Sequence, residues 1–158
     1  MTAPTPSQTV GPFFGFALRF ENDADATAGG PRGAIRVEGI VLDGAGEPVG
    51  DALVEASQSD QFARCRTDRE GAFHFTFRKP VVSDGAAYFN ITVFARGLLR
   101  HLHTRMYFPD EDPANRADRV LQVVDESRRH TLIARRDGDI LHFDIRLQGD
   151  GETVFFAI

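Results

Sequence analysis

The chain has 158 residues, a length that suits one domain, because two separate cores would each be too small to bury enough surface. Hydrophobic residues make up 42% and charged residues 26%, which is the composition of a folded globular protein. The net charge of -5 argues against a protein that binds nucleic-acid phosphates. With a single cysteine, Cys65, the chain can form neither an internal disulfide nor a cysteine-based zinc site.

Residues 1–33 are predicted to form an extended arm and a loop, ahead of one folded domain over residues 34–158. Three prolines in residues 1–12 favour extended backbone over helix. Residues 21–33 are rich in Asp, Ala and Gly, which is typical of loops. The N-terminus lacks the basic start and apolar core of a secretory leader, and no stretch approaches the ~18 apolar residues that span a bilayer. We therefore expect a cytoplasmic protein.

From residue 35 onward, short strand patterns alternate with turn residues. The strand patterns cover residues 35–42, 52–56, 72–77, 88–94, 102–108, 131–135, 140–147 and 153–156. Phe73, Phe75 and Phe77 recur at the period of two that places side chains on one face of a strand. Only residues 113–125 have apolar spacing compatible with a helix. The pattern predicts an all-β fold, an antiparallel β-sandwich with one short helix.

His101 and His103 are spaced as two side chains on one face of a strand, a common geometry for metal ligands. No other histidine or carboxylate cluster completes a ligand set, and the flanking arginines favour a solvated edge strand. The other three histidines occur singly and are predicted to have no special role. Cys65 lies between two arginines, whose charges lower a thiol pKa. Because no partner base accompanies it, we predict a buried or inert thiol.

The remaining candidates are also weak when they are judged on the residues alone. The acidic run at residues 110–112 lies between two prolines and predicts a solvated loop, and Asp68 is predicted to cap its own backbone in a turn. Arg96 follows an apolar strand, and its forked donors suit a bidentate contact with a carboxylate. Spacing alone nevertheless favours an ordinary surface arginine. The residues thus predict a β domain without a self-contained active site.

Five blocks of sequence carry a resemblance to a known family: residues 6–18, 35–55, 67–80, 89–111 and 142–158. They include PSQTVGPFFGFAL near the N-terminus, FNITVFARGLLRHLHTRMYFPDE in the middle and HFDIRLQGDGETVFFAI at the end. These blocks resemble the intradiol ring-cleavage dioxygenases and, within that family, the alpha chains of protocatechuate 3,4-dioxygenase. The resemblance runs from Pro6 to Phe156.

The resemblance implies a β-sandwich of the transthyretin-like type that pairs with a homologous beta subunit in a larger αβ oligomer. Family members hold non-haem Fe(III) through two tyrosines and a His-x-His pair. At the positions of that pair this chain has Tyr88 and Asn90, and the segments that match the tyrosine ligands contain no tyrosine. The resemblance therefore implies that the beta subunit holds Fe(III), that this chain has no metal ligand or catalytic residue, and that His101 and His103 are not an iron site.

The resemblance also implies that this chain helps to line an active site at the αβ interface. Thr9, Gly11, Pro12 and Arg96 match the positions that contact substrate in the family. A Gly-Pro backbone can approach a flat ring closely, and an arginine attracts a carboxylate. The implied reaction is the cleavage of protocatechuate by O2 to 3-carboxy-cis,cis-muconate, in aromatic catabolism through the β-ketoadipate pathway.

Two alternatives stay open at this point. Residues 41–49 and 67–77 also fit a stand-alone transthyretin-like module that acts in adhesion or ligand transport, although this leaves the arm and residues 94–97 unexplained. The chain is also shorter than usual for such alpha chains around residues 58–63 and 84–87. A paralogous subunit for a related catechol is therefore the second alternative.

Overall fold

The structure, a computed structural model, describes residues 11, 13–27, 33–83 and 85–157. The elements along the chain are α1 (Phe14–Ala17), β1 (Ala34–Leu42), β2 (Leu53–Gln58), β3 (Gln61–Arg66), β4 (Ala72–Arg78), β5 (Tyr88–Phe94), β6 (Leu102–Tyr107), α2 (Asp112–Ala117), α3 (Arg119–Val123), a 3-10 helix (Glu126–Leu132), β7 (Arg135–Asp137), β8 (Ile140–His142) and β9 (Ile145–Arg146).

Two β-sheets pack face to face, which confirms the predicted sandwich. The first has the strand order β4-β1-β8-β7, with β9 also paired to β1, and the second has the order β3-β2-β5-β6. All pairs of the second sheet are antiparallel. In the first sheet β1 is antiparallel to β4 but parallel to β8 and β9. The antiparallel prediction thus holds for most of the pairing, and β1 makes the parallel contacts.

The core lies between the sheets and is built on alternating side chains. Phe73, Phe75 and Phe77 on β4 are all buried, as their period predicts. The Phe77 ring stacks on Phe89 of β5 in the opposite sheet, with ring centroids 4.1 Å apart. Because β5 is a central strand, its inward side chains pack against this aromatic row. Its outward side chains are not part of the core between the sheets.

Residues 113–125 form two short helices where the sequence predicted one. Asp118 has an extended backbone and so ends α2. Its Oδ1 atom accepts hydrogen bonds from the backbone N–H groups of Val120 and Leu121, at 2.9 and 3.0 Å, and so caps α3. One side chain therefore both separates the helices and starts the second.

Residues 131–135 were predicted to be a strand, and this prediction is wrong for most of the segment. The segment holds the end of the 3-10 helix, an isolated bridge at Ile133 and the first residue of β7. The carboxylate of Asp125 accepts the N–H of Ser127 at 2.9 Å, and the Thr131 hydroxyl donates to the carbonyl of Arg128 at 2.8 Å. These local bonds favour the helical turn over a strand.

Four other segments also differ from the prediction. Residues 140–147 are divided into β8 and β9, and residues 153–156 contribute one bridge, between Phe156 and His103. The sequence analysis missed β3 and α1. In α1, Phe14 is buried while the neighbouring Phe13 is 76% exposed. The predicted loop over residues 21–33 is described at residues 21–27 and 33, where it consists of turns, a bend and a bridge from Asp25 to Thr76.

None of the helices in the described ranges is both long and apolar enough to cross a membrane.

Candidate functional site

Arg96 lies in a tight turn just beyond the end of β5. The N–H of Leu98 donates to the carbonyl of Ala95 at 3.3 Å, and Gly97 has a φ of +86°, a conformation that glycine adopts without steric cost. The Arg96 side chain is 72% exposed. The turn therefore presents the guanidinium beyond the end of β5, a central strand of the second sheet.

Asp51, in the turn just before β2, holds this arginine. The Nε atom of Arg96 lies 3.0 Å from Oδ2 of Asp51, whose side chain is only 13% exposed. The pairing of Leu53 with Phe94 explains the contact, because the same register continued by two residues sets Asp51 opposite Arg96. The terminal nitrogens of Arg96 bond to no described residue. The ion pair thus anchors one side of the guanidinium and leaves the fork available to a ligand.

A small pocket of about 220 Å³ lies beside this turn. Its lining includes Phe94, Leu98 and His101, and the ring of Phe94 lies 6.1 Å from Phe14 and 5.4 Å from His101. Complete small-molecule sites usually measure ~300–1,000 Å³. The pocket is therefore a partial site with mostly apolar walls; Arg100 is part of its lining, and Arg96 lies in the adjacent turn.

The predicted N-terminal contributors are described only in part. Gly11 has a φ of +66°, which favours glycine, whereas Thr9 and Pro12 lie outside the described residues. Three residues beyond Gly11, the buried ring of Phe14 packs on Phe94. The segment that follows the predicted contact residues thus lies at the same end of β5 as Arg96.

The two spaced histidines lie on the outer side of the second sheet. His101 is exposed just before β6, and His103 is half-buried within β6, with ring centroids 4.5 Å apart. Nδ1 of His103 lies 3.2 Å from the Thr92 hydroxyl. Burial, with the neighbouring His101, lowers the pKa of His103. β6 is the edge strand that the sequence predicted. In the described ranges, no three His, Cys, Asp or Glu side chains form a group suited to a metal ion.

Tyr88 and Asn90, the positions matched to the family's histidine ligands, lie on the outward face of β5. Asn90 is opposite Arg105 on β6, and Tyr88 is opposite Tyr107. The guanidinium carbon of Arg105 lies 4.0 Å from the centroid of the Tyr88 ring. Arg105 Nη1 donates to the Tyr107 hydroxyl at 3.2 Å. Arg105 therefore contacts both tyrosines of the chain.

Other predictions from the residues are met in the structure. Cys65 is buried, and burial raises the pKa of its thiol, so the adjacent arginines do not activate it. Oδ1 of Asp68 accepts the backbone N–H groups of Glu70 and Ala72 at 3.0 and 2.8 Å, as a turn-capping residue does. The acidic run at residues 110–112 is better organised than predicted, because Lys79 forms ion pairs with its first two carboxylates.

Two alpha chains resemble this chain along nearly its whole length. It is 37% identical over 191 aligned positions to the protocatechuate 3,4-dioxygenase alpha chain of Burkholderia cepacia, covering 98% of this chain and 97% of the relative. The alpha chain of Pseudomonas putida is also 37% identical, covering 96% and 95%. The chain belongs to the family of protocatechuate 3,4-dioxygenase alpha chains. No protein-family model matches it.

The chain is also similar to a beta chain and to two dioxygenases of known structure. The beta chain of the Burkholderia cepacia enzyme is 32% identical, covering 75% of this chain and 66% of that relative. The dioxygenase domain of a Streptomyces sp. SirexAA-E fusion protein superimposes with a TM-score of 0.61 at 22% identity, covering 93% and 99%. Catechol 1,2-dioxygenase of Acinetobacter sp. ADP1 gives 0.60 at 16% identity, covering 82% and 57%. Full-length matches to alpha chains favour the dioxygenase interpretation over a stand-alone module.

The family implies iron, and the residues at its ligand positions here do not fit that metal. Asn90 offers a neutral carboxamide where imidazole would bind, and the Arg105 guanidinium places a fixed positive charge against Tyr88. Tyr107 is fully buried and donates to Oδ1 of Asp118 at 3.1 Å. Burial raises the pKa of Tyr107 to about 12, so this phenol stays protonated at neutral pH. The Arg105 charge repels a metal cation, and the neutral Asn90 and Tyr107 side chains supply no negative charge to offset it.

Asp51 and Arg105 are the residues that sequence reasoning missed. Asp51 lies 45 positions before Arg96, and only the strand register brings the two side chains together. Arg105 was noted merely as a flanking charge of the histidine pair. Its pairing with Asn90 would have been visible once β5 and β6 were aligned as neighbouring antiparallel strands.

Proposed function

We propose that this chain is the non-iron alpha subunit of a protocatechuate 3,4-dioxygenase and forms one wall of an active site that a homologous beta subunit completes. The observation that carries the proposal is the partial pocket at the end of β5, whose lining residues Ala95 and Leu98 flank the turn in which Asp51 holds Arg96. Membership of the alpha-chain family supports the pairing with a beta subunit in an αβ oligomer. We assign Fe(III) to the beta subunit, because the residues of this chain do not fit it.

In this proposal Arg96 binds the carboxylate of protocatechuate. The Nε atom is engaged by Asp51, so the terminal N–H groups can form the two parallel bonds that a carboxylate accepts. The guanidinium orients the substrate by a group remote from the ring carbons that are cleaved. A contact that is equally strong in the bound substrate and in the transition state lowers KM and leaves kcat unchanged, and we assign this contact to that kind.

We further propose that Thr9, Gly11 and Pro12 form the backbone wall over the substrate ring, with residues 1–33 as an arm and loop on the domain of residues 34–158. The left-handed backbone of Gly11 and the packing of Phe14 on Phe94 support this placement. The enzyme would convert protocatechuate and O2 to 3-carboxy-cis,cis-muconate in the cytoplasm, within aromatic catabolism.

The proposal is tested by producing the chain alone and together with its homologous beta chain. The complex is expected to contain iron and to cleave protocatechuate, and the isolated chain is expected to do neither. Ring cleavage by the isolated chain, or iron bound to it in stoichiometric amount, would refute the proposal.

Arg96→Ala in the reconstituted complex is expected to raise KM for protocatechuate at least about tenfold, since a charged hydrogen-bonded contact contributes ~1.5–3 kcal/mol. KM for catechol, which lacks the carboxylate, should change little. Arg119→Ala removes another exposed arginine and is the matched control. Equal effects on the two substrates, or none, would remove the carboxylate-binding role. Catechol as the better substrate of the unaltered complex would favour the paralogue alternative.

A further inference from the structure

A second cavity, of about 480 Å³, lies on the outward face of the second sheet and is separate from the Arg96 turn. Its polar wall comes from three neighbouring strands, with Ser57 on β2, Asn90 and Thr92 on β5, and His103 and Arg105 on β6. Val120 and Phe156 supply apolar surface. The volume lies within the range of small-molecule sites, ~300–1,000 Å³.

The fixed charge in this cavity is positive and is not neutralised by an adjacent carboxylate. Arg105 is half-buried, and none of the described residues that line the cavity is acidic. Among the described residues Arg105 forms no ion pair, and its one hydrogen bond is from Nη1 to the Tyr107 hydroxyl. The carboxylate that follows in this network, Asp118, already accepts the Tyr107 hydroxyl and two backbone N–H groups of α3. A half-buried cation with spare donors therefore faces the cavity.

The other polar groups of the cavity are neutral and can donate hydrogen bonds. The Asn90 amide lies directly across from Arg105 in the strand register, and Ser57 lies on the other side of Asn90. His103 is held by its contact with the Thr92 hydroxyl. Hydroxyl, amide and guanidinium donors around one space are suited to an anionic oxygen ligand.

We propose that this cavity binds a small aromatic carboxylate, anchored by the guanidinium of Arg105. The guanidinium fork matches the two oxygens of a carboxylate, and the apolar surface of Phe156 and Val120 suits an attached ring. In a protein of net charge -5, a cavity with one cation and no acid is a local site of anion attraction. The site is built entirely from this chain and does not depend on the function proposed for Arg96.

The test is a titration of the isotope-labelled full chain with benzoate, followed by NMR, with benzamide as the neutral ligand of the same shape. Benzoate is expected to shift the amide signals of Asn90, Thr92 and His103 in a saturable one-to-one manner. Benzamide should bind at least about tenfold more weakly, because it lacks the charge-assisted bonds. Equal affinity for the two ligands would overturn the proposal. Shifts confined to Gly97 and Leu98 would also overturn it and would locate the ligand at the Arg96 turn.

Two variants test the anchor directly. Asn90→Asp changes an exposed side chain by one group and places a carboxylate opposite Arg105, so it should abolish benzoate binding while the chain stays folded. Arg105→Gln should weaken binding at least about tenfold. Arg119→Gln, an exposed arginine on α3 next to the cavity residue Val120, should bind as the unaltered chain does. Undiminished binding in Asn90→Asp would refute the proposal even if Arg105→Gln proves unstable.

Discussion

At the residue scale, contacts across neighbouring strands hold two arginine side chains of this protein in place. Arg96 is anchored by Asp51 across a continued strand register, and Arg105 contacts two tyrosines. The Oδ1 atom of Asp51 is buried and has no hydrogen-bond partner among the described residues. A buried carboxylate oxygen without a partner is costly. Asp51 therefore lowers the stability of the fold while it holds Arg96 in place.

Asp51→Ala is expected to raise KM for protocatechuate in the reconstituted complex by about 2- to 5-fold, because a partly exposed ion pair contributes up to ~1 kcal/mol. The value of kcat should change less. In an Arg96→Ala background the same substitution should have no further effect on KM, since the two residues act through one contact. Additive effects in this double-mutant cycle would show that Asp51 acts independently of Arg96.

Tyr107 provides a second prediction at this scale. Burial raises the pKa of its phenol to about 12, so the unfolded chain releases this proton first. The contribution of Tyr107 to stability is therefore complete below the unfolded value, ~10, and is lost as the pH rises towards 12. The chain has two tyrosines and no tryptophan, so Tyr88→Phe leaves Tyr107 as the one phenol to titrate. Its phenolate absorbance should rise near pH 12 in the folded protein and near 10 in urea. One midpoint under both conditions would contradict the burial argument.

At the scale of the elements, the sequence predicted the strands in which large apolar and polar side chains alternate clearly. It did not predict a strand in which this alternation is weak. β4 was predicted because Phe73, Phe75 and Phe77 are large and regularly spaced. β3 was missed because the residues it buries, Ala63 and Cys65, are small, so its pattern has little contrast. The 3-10 helix was mistaken for a strand because local side-chain bonds override the β-branched residues there. The candidate site was predicted from the resemblance at Arg96, whereas its partner Asp51 depended on long-range pairing.

Gly39 gives the prediction for this scale. A Cβ atom at this position in β1 would collide with the carbonyl oxygen of Phe143 and lie 2.7 Å from Cζ of Phe73. Gly39→Ala is therefore expected to lower the free energy of unfolding by at least about 2 kcal/mol, measured by urea denaturation. In Gly44→Ala the nearest atom is Cβ of the Gln148 side chain at 3.3 Å, so the change should stay within about 0.5 kcal/mol. Similar losses in both variants would show that the close approach of the strands is not the cause.

At the scale of the whole molecule, the two proposed carboxylate sites differ in whether they need the beta subunit to be complete. The pocket at Arg96 is small, and we propose that the beta subunit completes it. The cavity at Arg105 is larger, and its described lining comes from this chain's own strands, α3 and C-terminal segment. Both sites lie on the outward face or beyond a strand end of the second sheet, while the first sheet covers the opposite side of the core. In these proposals the second sheet carries both sites. The site at Arg96 is shared with the beta subunit, and the site at Arg105 belongs to this chain alone.

The parallel pairing of β1 with β8 and β9 has a consequence for how the chain is made. The N–H of Ile40 bonds to the carboxylate of Asp144, 104 residues later, and the backbone of β1 pairs with residues 140–142 and 145–146. While the ribosome is still producing the middle of the protein, one edge of β1 has no partner. Unpaired edges attract other chains, and long-range pairs form slowly. Nascent chains that stall before residue 140 should therefore be the ones that depend on chaperones.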